Sequence, residues 1–178
     1  VTLTPASVSE LISLVNDISA MTYTVRDTPA NLAADTANLT TLMAGANAIQ
    51  VVDFDESGGV VNTVYDFSDA TIRSNFSTIV TRAVDSNNNA IPITSRITGT
   101  SGELANLTTT AARQDAITLT VEDNIAVSAV SGLKAKTYIA GNATISYSIT
   151  DSASNVHSDI TGNSSAHVSN IAITIDDT

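Results

Sequence analysis

The chain has 178 residues, is 43% hydrophobic, and carries seven Lys plus Arg against 18 Asp plus Glu, a formal charge of −11. That balance repels nucleic-acid phosphates and anionic membrane surfaces, and no apolar run approaches the ~20 residues of a spanning helix, so neither nucleic-acid binding nor membrane insertion is expected. Cysteine and Trp are absent and aromatics make up 4%, which removes disulfides and thiolate metal sites and leaves Val, Ile, Leu and Ala to build the core.

Pro5–Ser19 places Val8, Leu11, Ile12, Val15 and Ile18 on one helical face, with Thr4 as N-cap and Pro5 at the first helical position. Met21–Asp27 alternates as a strand. Thr28 caps a second helix that opens on Pro29, carries Leu32, Leu39, Leu42 and Met43, and stops at Gly45. Ala48–Asp55 reads as a strand. Gly58 and Gly59 supply the positive φ of a hairpin-like insertion within Ala48–Phe67. Ser68 or Asp69 caps a helix over Ala70–Ala83 with Ile72, Phe76, Ile79 and Val80 on one face. Asp85–Asn89 is a loop. Ala90–Ile97 is a strand that Pro92 confines to an edge or a bulge. Gly102–Ala112 is a short helix and Ala116–Glu122 a strand. The last third gives a short helix with Ile125, Val127, Val130 and Leu133, a strand at Ala143–Thr150, a helix at Ser152–Ile160, a polar loop at Gly162–Ser165 and a strand at Ile171–Ile175.

Two stretches copy each other. YTVRD (Tyr23–Asp27) precedes AIQVVD, which begins at Ala48 (48 − 23 = 25), and YSITD (Tyr147–Asp151) precedes AITIDD, which begins at Ala172 (172 − 147 = 25). A looser copy, RITGTSGELANL (Arg96–Leu107) then AITLTVED (Ala116–Asp123), lies between them. A fixed internal period is the mark of an array in which each unit buries its apolar face against its neighbours. Three units of helix, strand, helix, strand are expected, at residues 1–55, 56–123 (opening with the insertion) and 124–178. Strands alternating with helices imply parallel strands joined by right-handed crossovers. The expected fold is therefore α/β, a short solenoid-like repeat with a parallel sheet and outer helices. The alternative is an all-β array, a β-helix or tandem sandwiches, which the Thr-, Val- and Ser-rich last unit would suit. The opening VTLTPASVSEL has no basic n-region and resembles ITLTVEDNIAVS (Ile117–Ser128), so a piece of a longer array, or a mature product cut from one, is expected.

Carboxylates recur where strands hand over to helices: Asp27, Asp53 with Asp55, Asp66 with Asp69, Glu122 with Asp123, Asp151, and Asp176 with Asp177. Two readings stand. Acids near helix N-termini satisfy free N–H groups and oppose the macrodipole; or acids from stacked turns form an oxygen-lined calcium site. The metal candidate is Asp53, Asp55 and Glu56, beside the glycine pair. His157 and His167 lie in polar surroundings with no nucleophile or paired carboxylate motif. GxSxG, HExxH, GxGxxG and P-loop patterns are absent, and few aromatics are available to grip a sugar for hydrolysis, so an enzyme is not expected. N-x-S/T sequons stand at Asn38, Asn75, Asn106, Asn142 and Asn163. The Ser/Thr/Asn/Asp-rich, Lys-poor surface points to an exported protein. VTLT at the start and AITIDD at the end would leave open strand edges that another chain can extend.

RITGTSGELANL followed by AITLTVEDNIAVSAVSGLKAKT (Ala116–Thr137) resembles the repeat units of very large secreted surface proteins of bacteria, notably marine cyanobacteria and some proteobacteria. In these, phrases of the type T-x-x-x-T-G-T-A-A-D-x-N alternate with V-T-L-S-D strands and A-L-x-x-L-D-A-K-T helices. The resemblance covers roughly residues 90–178 and, more loosely, YTVRDTPANLAAD in the first unit. It implies an extracellular or cell-surface structural role: a surface layer (S-layer), an adhesin stalk or a filament that self-assembles from copies of itself. An adhesin module that binds carbohydrate or a host surface protein is the alternative, with Glu56–Gly59 and Asp85–Asn89 as its candidate loops. The calcium-binding nonapeptide GGxGxDxUx of β-roll proteins is absent.

Overall fold

The computed structural model describes residues 6–15, 22–34, 37–61, 63–107, 115–134, 144–163 and 171–177. In chain order these form α1 (Val8–Val15), β1 (Tyr23–Asp27), α2 (Pro29–Ala33), α3 (Ala37–Gly45), β2 (Ala46–Val51), β3 (Asp53–Phe54), β4 (Val60–Val61), β5 (Tyr65–Asp66), α4 (Ala70–Arg82), β6 (Ile93–Gly99), α5 (Ser101–Ala105), β7 (Ala116–Ile125), α6 (Val127–Lys134), β8 (Thr144–Asp151), α7 (Ala153–Asn163) and β9 (Ala172–Ile175). The fold is mixed α/β with a mostly parallel central sheet, as the alternation of strand and helix patterns predicts; the all-β alternative is not what forms.

The sheet runs β1-β2-β6-β7-β8-β9, each pair parallel. Neighbours in space are neighbours in sequence, so every crossover advances the chain one place in the same direction. Ala6 continues the series beyond β1 through a parallel bridge to Val25. The pairings Ala6↔Val25, Thr24↔Ala48, Thr94↔Ala116, Thr118↔Thr144 and Ser148↔Ala172 are separated by 19, 24, 22, 26 and 24 residues. The period read from the sequence is thus the step from one strand to the next.

One step is longer because the chain makes an excursion. Gln50 pairs Thr94, so Asp53 would fall opposite Ile97; Tyr65 takes that place instead. The intervening chain leaves the sheet and folds β3 against β4 as an antiparallel hairpin, with Gly58 at φ 78° in its turn. The expected hairpin insertion is therefore present but narrower, since Ala46–Val51 belongs to the main sheet.

Burial sets the layers. Along β6, Ile93, Ser95, Ile97 and Gly99 are buried while Thr94 and Arg96 are exposed, and β7 alternates in the same way. The inward residues Val25, Ile49, Ile93, Ile97, Leu119 and Ile149 share one core with Leu11, Leu32, Leu42, Phe76, Leu104, Val130 and Val156 from the helices. Each such side chain contributes on the order of 1.5–3 kcal/mol by leaving water. The few rings cluster: Phe76 lies 5.4 Å from both Tyr65 and Phe67, centroid to centroid. At Gly45 a Cβ would sit 2.5 Å from the hydroxyl of Tyr23, which donates to Leu42 O at 2.7 Å, so the helix end needs glycine for this close approach.

Several boundaries differ from expectation. The first helix starts at Val8, where Ser7 and Glu10 form a reciprocal cap: Ser7 N donates to Glu10 Oε2 at 2.8 Å and Glu10 N to Ser7 Oγ at 3.4 Å. Thr4, Pro5 and Ile18 lie outside the described residues. The second helix is two, α2 and α3. Pro92 does not push its strand to an edge: β6 is central and begins one residue later, and Pro92 O accepts from Ile49 N at 2.8 Å. Ile125 ends β7 instead of entering a helix, and α7 continues through Gly162. Among the described residues no helix is long and apolar enough to cross a membrane.

Candidate functional site

A helix leaves its first N–H groups without partners, and in a parallel array those groups sit beside the C-terminal end of the following strand. This chain places an aspartate there. Asp27, at the end of β1, accepts from Val8 N, the first residue of α1, at 3.1 Å through Oδ2. Its Oδ1 takes Thr28 N at 2.8 Å and Asn31 Nδ2 at 2.7 Å. Asp151, at the end of β8, repeats the arrangement: Val127 N of α6 at 3.0 Å, Ser152 N at 2.8 Å and Asn155 Nδ2 at 2.7 Å. Asp177, just after β9, accepts from Ala153 N of α7 at 2.8 Å. Each carboxylate is a staple that fastens the start of one unit's helix to the strand of the next.

Asp123 performs the same task from an irregular position. β7 pairs Thr120 with Ser146 but Asn124 with Ser148, so Val121, Glu122 and Asp123 stand opposite Tyr147 alone. The resulting bulge lets Asp123 take both Ser101 N and Ser101 Oγ of α5 at 2.6 Å. The neighbouring Glu122 accepts from Thr98 Oγ1 at 2.8 Å.

The two copies also explain the candidate metal residues. Asp27 and Asp151 are 124 residues apart, and Val52 N→Asp27 O matches Asp176 N→Asp151 O, both 3.0 Å. Asp53 is therefore the counterpart of Asp177, the residue that would staple α2. That helix begins with Pro29, which has no N–H to give. Asp53 turns instead to Phe54 N at 2.9 Å. Asp55 holds the hairpin turn, accepting Ser57 N at 2.9 Å and Gly59 N at 2.7 Å, and Glu56 is exposed. Among the described residues no group of three or more His, Cys, Asp or Glu is placed to hold a metal ion.

Three further acids have local duties. Asp69 caps α4 through Thr71 N and Ile72 N, Asp66 accepts from Ser68 N, and Asp85 closes the Asp85–Asn89 loop on Asn87 N, Asn89 N and Asn89 Nδ2. The sequence gives no sign of two further contacts. Asp115, buried at the start of β7, accepts from Ile93 N at 2.8 Å. Arg82, in the last turn of α4, donates to the carbonyls of Ala33 and Ala34 at 2.7 and 2.6 Å, closing the C-terminal end of α2. His157 is exposed on α7, and His167 lies outside the described residues. Of the sequons, Asn75 lies within α4, and Asn106 donates from Nδ2 to Gly102 O; Asn38 and Asn163 fall within α3 and α7, and Asn142 lies outside the described residues.

The other distinctive place is the end of the sheet. All four residues of β9 are exposed, Ile173 by 40% and Ile175 by 49%, where the inward residues of β8 are buried. Ile160 of α7, 49% exposed, lies beside them. A small apolar hollow of about 160 Å³ lined by Val127, Ile149, Val156, Ile160, Ile171 and Ile173 opens there. Comparison with known protein families, with characterised proteins and with solved structures finds no match for this chain.

The staples differ from the other acids in what their loss leaves behind. Asp27→Ala orphans Val8 N, Thr28 N and Asn31 Nδ2 at a buried carboxylate, and is expected to cost about 2–3 kcal/mol in denaturant unfolding, whereas Asp53→Ala is expected to stay within about 0.5 kcal/mol. Equal costs would contradict the assignment. Acid supplies a second test. Hydrogen bonds hold the carboxyls of Glu10 (chiefly from Ser7), Asp66 (Ser68), Asp85 (Asn89) and Asp151 (Asn155, then Ser152 and Val127) below their ordinary values. A depressed folded-state value means the stabilisation is complete above the unfolded value of about 4 and is lost as pH falls through the folded one. Melting temperature should fall between about pH 5 and pH 2, and Asp151→Asn should flatten that fall; an unchanged slope would remove Asp151 from the account.

Proposed function

We propose that this chain is a short α/β solenoid with a structural, non-enzymatic role, assembling by end-to-end stacking into a filament, stalk or surface layer. The observation that carries the reading is the exposed last strand. In-order parallel strands, at a near-constant step except across the excursion and stapled at α1, α5, α6 and α7, form a series that any further unit of the same plan can extend. Among the described residues nothing pairs with the outer edge of β9, which such a unit can extend, and Ile160, Ile173 and Ile175 offer it apolar surface. The end with Ala6 and α1 is different in composition, so contact between the two ends is heterologous, the type of contact that gives fibres where its rotation does not close. The Lys-poor, acidic exterior and the resemblance to secreted bacterial repeats support a place outside the cell or on its surface.

The test is concentration-dependent sedimentation followed by negative-stain microscopy. The chain should form end-to-end particles, and the pair Ile173→Glu with Ile175→Glu should keep it monomeric with an unchanged circular-dichroism spectrum. A wild-type chain that stays monomeric at high concentration would overturn self-assembly and favour the adhesin reading.

A further inference from the structure

The excursion that leaves the sheet after Val52 also leaves a notch in it. β2 pairs β6 only at Ile93 and Thr94, and β5 pairs it only at Ile97 and Thr98. Among the described residues, Ser95 and Arg96 have no strand partner on that side. A cavity of about 520 Å³ opens over this gap on the face away from the helices, lined by Arg26, Gln50, Thr94 and Arg96 from the sheet and by Val60 and Thr63 from the excursion. That volume lies within the ~300–1,000 Å³ range of small-molecule sites.

The chemistry of the lining is unlike the rest of the molecule. In a chain of charge −11 with seven basic residues, two arginines meet in one hollow. The register places them on the same face: Arg26 pairs Gln50, Gln50 pairs Thr94, and Arg96 follows two residues along β6. Strand spacings put their Cα atoms on the order of 12 Å apart, within reach of one ligand for two long side chains. Arg26 Nε donates to Gln50 Oε1 at 2.9 Å, which orients the guanidinium. Among the described residues neither arginine forms an ion pair, unlike Arg73, which lies 3.6 Å from Glu103 elsewhere in the molecule. Beside the notch, the hydroxyls of Tyr65 and Ser95 are buried with no partner. The sheet is thus geometrically unfinished at this place, and Arg26 attracts the Glu10 carboxylate without pairing to it.

We infer that the notch is a binding site for a carboxylated sugar, a uronate unit of an acidic saccharide. Two guanidiniums select the carboxylate, since Arg presents a planar fork that matches it. Gln50, Thr63 and Thr94 offer an amide and hydroxyls to a hydroxyl-rich ligand, and Val60 covers one side. Among the described residues no aromatic ring lines the cavity, so a neutral sugar has no platform there on which to stack. The gap in pairing is two residues long, too short for an extended peptide to dock by strand addition. The inference does not depend on end-to-end assembly, because the notch and β9 lie on different strands.

Titration calorimetry at low salt with galacturonate, galactose and N-acetylaspartate tests it, using the full chain. Galacturonate should bind, galactose should not, and N-acetylaspartate should bind at least tenfold more weakly than galacturonate. Arg96→Gln and Arg26→Gln should each weaken galacturonate about tenfold while retaining the wild-type melting transition, and Ile173→Glu with Ile175→Glu should leave binding unchanged. Equal binding of galactose, equal binding by a folded Arg96→Gln chain, or binding of N-acetylaspartate as tight as galacturonate would each overturn the assignment.

Discussion

A parallel sheet built one strand at a time sets a recurring problem of unpaired polar groups. Each crossover helix begins beside the C-terminal ends of two strands, with its first amides pointing into space that the next unit partly fills. Leaving a buried donor unpaired costs on the order of 1–3 kcal/mol, comparable to the burial of a core side chain. In this chain an aspartate from the following unit meets the first amide of α1, α5, α6 and α7. One side chain therefore does two things. It caps a helix, and it fixes the distance and orientation between successive units. Apolar burial supplies most of the cohesion, but the carboxylates specify register.

The departures follow from the same constraint. α2 opens on Pro29, has no first amide to offer, and so makes no demand on Asp53. Asp53, left free of an inter-unit contact, opens the following step, in which the chain makes its excursion and the sheet its notch. α4 follows the excursion and is capped within its own turn by Asp69, since its successor strand β6 ends in Gly99 and Thr100, without a carboxylate. Where an inter-unit staple is missing, the cap is local or the donor has been removed by proline. The notch thus opens between two strands, β2 and β6, that no inter-unit staple among the described residues joins.

Much of this was legible in residue order. The acids recurring where strands hand over to helices, Asp27 and Asp151 among them, mark those junctions, and the alternation of periods gives a parallel α/β sheet. The sequence does not display the second half of each contact. That Asp27 Oδ2 reaches Val8, or Asp151 reaches Val127, depends on which strand lies next to which, a property of register. Pro92 misleads for a related reason: a proline bars a residue from donating within a ladder, yet one placed immediately before a strand gives up nothing, because its carbonyl still accepts from Ile49. Thr4 and Pro5 make a sound helix start in isolation, but Ala6 is committed to pairing with Val25, and the cap moves to Ser7 with Glu10. The cavity over the notch could not be foreseen, since Arg26 and Arg96 are brought together only by two intervening strand pairings.

The proposed array and the proposed saccharide site are compatible uses of one scaffold, the first at its growing end and the second on its uncovered face. The array presupposes that successive units are locked by carboxylate-to-amide contacts. Amide hydrogen exchange followed by NMR measures those contacts one residue at a time. Val8, Ser101, Val127 and Ala153, first residues of their helices and unprotected in an isolated helix, should exchange as slowly as neighbouring strand amides, and Asp151→Asn should release Val127 selectively. Rapid exchange at all four positions in the wild-type chain would contradict the account.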